Sequence, residues 1–241
     1  MKMLGASDVA PLSLLGRDIL EQMHAAGRRV QDCQRKLADN NRNVVAEMLS
    51  EASDFYQWNH YPPGDVYDWK SHAQYFYHAH PPDVGANVWG EEHGHFHTFL
   101  RPLGFPQKVL ASLDREHQDN DALSHLVAIS MDNTATPIRL FTTNRWVTGE
   151  TWYAAEDVKQ FLPCFDIRLE KPSPCVNDWI SSVLVLFRPT IEALLEARDD
   201  VIAAHADAAP DGDVYEDRNL EVTSIIDIDV ARQLAAIEAA L

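Results

Sequence analysis

Residues 72–101 place histidines at even spacings in two runs, HAQYFYHAH and HGHFHTFLR, joined by PPDVGANVWGEE. A period of two is the period of a strand, where alternate side chains share a face. On the first run, His72, Gln74, Phe76, His78 and His80 fall on one face. On the second, His93, His95, His97, Phe99 and Arg101 do. The joining stretch is rich in turn residues, so the two runs read as a hairpin. Paired that way, His78, His80, His93, His95 and His97 converge on one surface. No other constellation in the chain is as specific.

Imidazoles two apart on a strand lie about 6.6 Å apart at Cα, close enough for both rings to meet one ion. Metal–nitrogen distances of about 2.0–2.1 Å leave little slack, so three ligands from one flat strand are awkward. The expected set is two of His93, His95 and His97, joined by one or both of His78 and His80. All-nitrogen ligation suits iron, copper, zinc or nickel and argues against calcium or magnesium. The cofactor expected is therefore a transition metal ion, with iron, copper and zinc the main candidates. Asp83, Glu91, Glu92 and Glu150 are candidate carboxylate ligands or acceptors for the second ring nitrogen of a ligating histidine. His60 and His125 could be further ligands, but each is isolated in sequence, and a lone strand histidine reads first as a satisfied core or surface residue. The alternative is a metal-free pocket in which the histidines and Tyr75, Phe76, Tyr77 and Phe96 grip a small organic molecule. That arrangement leaves many ring nitrogens in need of partners.

The rest of the chain supplies a frame. Residues 11–38 read as a helix with apolar residues at spacings of three and four, and 44–58 as a second. The stripe on the first helix is read mainly as core, with a homodimer seam as the alternative. NHYPPGDVYDWKS, residues 59–71, reads as a turn region whose Asp65, Tyr67 and Asp68 either reach the histidines or satisfy turn amides. Residues 107–116 suggest a short helix. LSHLVAISM (123–131) and IRLFTTNRWVTGETWY (138–153) are β-rich and EVTSIIDID is a further strand candidate. Residues 154–166 read as helical. Residues 176–205 read as one long helix kinked at Pro189, because the apolar phase continues across it. A last helix runs from 230 to 241.

The expected architecture is therefore a single α+β domain over 1–241. A small antiparallel sheet of about four to five strands, in the part spanning 72–153, is buttressed by an N-terminal helical part (11–58) and a C-terminal one (154–241). In TTNRWVTGETWY, Arg145 could bind an anionic substrate group and Glu150 act as base. An amphipathic strand carrying an Arg–Glu pair is the plainer reading.

A net charge of −17 argues against nucleic acid or an anionic membrane as partner, since both need positive surface. A small-molecule substrate or ligand is the expected partner. No run approaches the ~20 apolar residues of a membrane span, and MKMLGASDVAPLSLLGRDIL lacks the pattern of a signal peptide. Three cysteines without a CxxC motif read as buried free thiols in a reducing cytoplasm, with a Cys164–Cys175 pairing across the PSP turn as the alternative.

The segments HYPPGDVYD (60–68), HAQYFYHAH (72–80), EHGHFHTFLRP (92–102) and LFTTNRWVTGETWY (140–153) resemble a bacterial family of uncharacterised proteins, a domain of unknown function. The resemblance extends to EVTSIIDID and implies bacterial origin and one structural unit, but no chemistry. The His-x-His spacing is shared with cupins, whose following glutamate is absent here: Pro81–Gly85 follow one pair and Thr98–Pro102 the other. GxSxG, P-loop, GxGxxG and HExxH motifs are also absent. The residues alone point to a metal-binding protein, expected to be a metal-dependent oxidoreductase or hydrolase. The alternative is a non-enzymatic small-molecule-binding or accessory protein without metal.

Overall fold

The computed structural model describes residues 1–50, 54, 56–79 and 92–241. The described strands are β1 (Lys2–Met3), β2 (Tyr61–Tyr67), β3 (Ala73–Ala79), β4 (Glu92–Leu100), β5 (Ser124–Asp132), β6 (Pro137–Thr143) and β7 (Val222–Asp227). They form one sheet in the order β1-β7-β6-β5-β4-β3-β2. β2 to β7 run as an antiparallel series, and β1 joins β7 in parallel. The α+β class stands, but the sheet is larger than the four to five strands expected. Both additions lie at its edges.

At one edge is β2, in the region expected to be a turn. Pro62 and Pro63 suit an edge strand, where a missing N–H removes no ladder bond on the open side. The pairing with β3 slips between Tyr61 and Val66. Gly64 and Asp65 take positive φ values of 85° and 60° inside that slip. At the other edge, β1 is two residues long and carries no periodicity to read.

The described helices are α1 (Arg17–Ala38), α2 (Val44–Leu49), α3 (Gln107–Leu110), α4 (Arg145–Thr148), α5 (Ala155–Phe161), α6 (Pro174–Leu186), α7 (Arg188–Ala208) and α8 (Val230–Ala240). Asn43 caps α2 by accepting from the Ala46 N–H at 2.7 Å, and Asp229 caps α8 by accepting from Arg232 N–H at 2.8 Å. The expected kinked helix is instead two. Phe187, at φ −105° and ψ 20°, leaves helical geometry, and Pro189 sits in the first turn of α7, where its missing N–H costs nothing. None of the described helices is long and apolar enough to cross a membrane.

The helices cover one face of the sheet. Tyr75, Tyr77, Phe96, Val127, Ile129 and Leu140 point into a core shared with Trp179, Ile180, Val183, Ile191 and Leu194. The Phe96 and Trp179 rings are 5.7 Å apart. The α1 stripe of Leu20, Met23, Ala26, Val30, Cys33 and Leu37 is buried in that core, so its apolar residues are used within the chain. The opposite face carries the histidines of β3–β5 and a smaller cluster of Ala128, Phe141, Val222 and Ile225.

The cysteines correct the free-thiol expectation. Cys33 on α1 and Cys175 on α6 form a disulfide, with Cα atoms 5.6 Å apart, and Cys164 is free. The pair is 142 residues apart in sequence and meets only because α1 and α6 lie side by side. The reading of a reducing compartment from cysteine usage therefore loses its ground.

Asp68 locks the β2–β3 turn to the helical layer. Its side chain accepts from the backbone N–H groups of Lys70 (2.9 Å) and Arg168 (2.8 Å). Burial pushes its carboxyl upward, but these backbone donors outweigh that and hold it below the ordinary aspartate value. The ionised form is thus favoured by folding, and its contribution is present above the unfolded pKa and lost as pH falls through the lowered folded value. Asp68→Ala is expected to cost about 1–3 kcal/mol at neutral pH. Urea melts should show that difference shrinking in acid; a constant difference across pH would contradict the assignment.

Candidate metal centre

β3 and β4 pair so that His78 lies opposite His95 and Phe76 opposite His97. β5 adds Ser130 opposite His95 and Ala128 opposite His97. Three imidazoles, His78, His95 and His97, then share one volume, each offering a ligand atom within 4.8 Å of the other two. The His95 and His97 Nε2 atoms are 3.0 Å apart. Two nitrogens bound at about 2.0–2.1 Å with angles of about 90–110° would be about 2.8–3.4 Å apart. The pair is therefore spaced as two ligands of one ion are spaced. The His78 ring centroid is 4.4 Å from that of His95 and 5.3 Å from that of His97. These three residues could hold a metal ion.

A carboxylate behind the triad sets the His95 tautomer. Glu92 Oε1 is 2.6 Å from His95 Nδ1, and the Ser130 hydroxyl donates to Glu92 Oε2. A carboxylate at that distance requires Nδ1–H on His95, which turns the lone pair of Nε2 toward the shared volume. Behind His97, its Nδ1 is 3.0 Å from His125 Nε2. With Nδ1–H donated to His125, His97 also presents an Nε2 lone pair. Burial first, then the neighbouring His95, His125, His78 and His60, holds His97 well below the ordinary histidine value. His125 is lowered to about 3 by burial, and next by the Arg198 charge and His95. Both are therefore neutral at pH 7, the form that binds metal.

The structure parts the five expected ligands. His78, His95 and His97 come together, whereas His80 lies outside the described residues, as do Asp83 and Glu91. His93 turns away. The β4–β5 pairing slips between Glu92 and Gly94, so His93 is the extra residue of a bulge and the alternation of faces reverses there. His93 Nδ1 instead meets the Tyr77 hydroxyl at 2.6 Å, and burial lowers its pKa. The same slip brings Glu92 onto the histidine face. A second slip, between Thr98 and Phe99, sets Phe99 opposite His125 and delivers that isolated histidine to His97.

Arg145 and Glu150 are in different surroundings. Arg145 pairs with Asp213 (3.0 Å) and Glu216 (3.1 Å) and lies over the Tyr215 ring. Glu150 is buried, and its Oε2 accepts from the His125 backbone N–H at 2.7 Å. Burial raises its carboxyl to about 7 against the pull of Arg198 and the His125 N–H. Arg198, on α7, belongs to no motif legible in the sequence. It is itself buried, donates to the Tyr153 carbonyl at 2.6 Å, pairs with Asp199 at 2.8 Å and stacks 4.0 Å from the Trp152 ring centroid.

A group whose folded pKa is raised stabilises the fold fully below its unfolded pKa and loses that contribution as pH rises through the folded value. For Glu150 that window runs from about 4.5 to about 7. Across it wild type should lose on the order of 3 kcal/mol relative to Glu150→Gln, which does not titrate. Parallel stability-versus-pH curves for the two proteins would refute this.

A family model described as a domain of unknown function (DUF6969) matches residues 24–228. The chain belongs to the DUF6969 family. The DUF6969 segment contains β2 to β7 and all of His78, Glu92, His95, His97, His125 and Glu150. No curated protein and no solved structure matches the chain.

Proposed function

We propose that this DUF6969 chain binds one transition metal ion through His78, His95 and His97 and uses it as a metal-dependent enzyme on a small molecule. The observation that carries the reading is the 3.0 Å separation of the His95 and His97 Nε2 atoms, with His78 beside them and a carboxylate fixing the His95 tautomer. Three imidazoles leave coordination positions for a substrate or water, which distinguishes catalytic from closed structural sites. Zinc there would support hydrolysis by activating water, and iron or copper would support oxidoreductase chemistry. Among this chain's residues, Glu92 orients His95, His125 orients His97, and Phe76, Phe99 and Phe141 keep the surroundings dry.

The test is elemental analysis of untagged protein purified without added metal or chelator. Iron, copper or zinc near one per chain supports the reading and selects the reaction class. Metal well below that, and not recovered on titration with those ions, overturns it. One observation favours a metal-free binding protein as the second reading. Glu92, His95, His97 and His125 can form an unbroken hydrogen-bonded chain if His97 donates from Nε2 and His125 from its own Nε2.

A further inference from the structure

A second carboxylate–histidine pair stands beside the triad. His60 Nδ1 is 2.9 Å from Asp65 Oδ1, and the other Asp65 oxygen accepts from Gln74 Nε2 at 2.8 Å. Gln74 in turn accepts from Arg101 Nε at 2.9 Å. Asp65 reaches His60 only because it sits in the β2 slip with φ 60°, a conformation that costs an aspartate about 1 kcal/mol or more. Bulges of this kind re-aim side chains beside active sites. The His60 ring lies flat on Phe76, with centroids 3.5 Å apart and planes 8° from parallel. It is 6.2 Å from the His78 ring, as is Trp58.

The exposure of the triad shows which side faces outward. His95 and His97 are buried, whereas His78 is only half-buried. His60 stands on that same side, with 46% of its side chain exposed. A ligand entering at His78 therefore meets His60. In the neutral ring, with Nδ1–H given to the Asp65 carboxylate, His60 presents a lone pair at Nε2, an acceptor.

On the metal-binding reading above, we propose that His60 is the outer hydrogen-bond acceptor for the molecule held at the triad's metal, with Asp65 as its positioning residue. The site then selects protic ligands, small molecules that carry an N–H or O–H next to the atom that ligates. No bond is made or broken in this step; it is recognition.

The test uses the full chain loaded with cobalt(II), whose visible bands report ligand exchange, and two probes. Acetohydroxamate chelates through its oxygens and keeps an N–H to donate, while azide has no proton. His60→Ala should retain one cobalt per chain and weaken acetohydroxamate at least about tenfold, with azide changed less than about twofold. His60→Gln, which restores an acceptor, should recover part of the loss, and Asp65→Asn should fall between. Equal changes for the two probes, no change for either, or a wild-type cobalt protein that binds neither would overturn the proposal. So would loss of cobalt from His60→Ala, which would make His60 a ligand. Wild-type protein that takes no cobalt overturns the metal reading itself and this inference with it, an outcome distinct from all the others.

Discussion

Replacing His95 or His97 with alanine is expected to abolish stoichiometric metal binding, weakening affinity by at least about a hundredfold. Each supplies one of two Nε2 atoms 3.0 Å apart, and a site reduced to two imidazoles loses both a bond and the geometry that excludes competing water. Both residues are buried, so each variant also opens a cavity. His78→Ala is the companion, because its half-buried position makes truncation less disruptive and it should lose metal equally. Glu92→Gln should bind metal about 10–100-fold more weakly, since a ligand's outer partner tunes it without being a ligand. Metal content measured beside circular dichroism separates the effects. Folded variants that keep wild-type metal content would sink the ligand assignment.

Gly94→Ala is expected to damage both the fold and the site. An added Cβ would lie 2.3 Å from the His78 carbonyl oxygen, 2.6 Å from the Tyr77 hydroxyl and 2.8 Å from the Ala79 Cα. Two of these atoms belong to the facing backbone and cannot swing aside, so β3 and β4 must part next to His78 and His95. The expected loss is about 3 kcal/mol, at the upper end of what overpacking costs. Metal affinity should fall with it, because the register that sets His78 against His95 is the register being broken. Denaturant melts and metal titration together check this. A stable, metal-replete Gly94→Ala protein would show that the hairpin is more pliable than its contacts imply.

Sequence periodicity reveals the centre of the site but not its rim. Alternation alone places His78, His95 and His97 on one surface, because β3 and the middle of β4 are regular. It fails where the strand is not regular. One extra residue at His93 exchanges that histidine for Glu92, and another slip at Thr98/Phe99 recruits His125. Gly94 is the sole local signal of the first slip, since a glycine inside a strand pattern marks a bulge or a close backbone approach. The Pro62–Pro63 pair hides β2 by reading as a turn. Its consequence, the aim of Asp65 at His60, follows from backbone angles that no pattern encodes. The Cys33–Cys175 bond was illegible for a different reason: its partners are neighbours in the helical layer and strangers along the chain.

That bond has a topological consequence for the histidine face. Residues 33 and 175 close a covalent ring that encloses β2 to β6, and with them every imidazole discussed above. A protease that cuts once anywhere inside the ring leaves one molecule of undiminished mass, with both fragments still tethered, until a reductant separates them. Gels run with and without reductant would therefore read out, from a single nick, whether the bond is present in the protein as isolated.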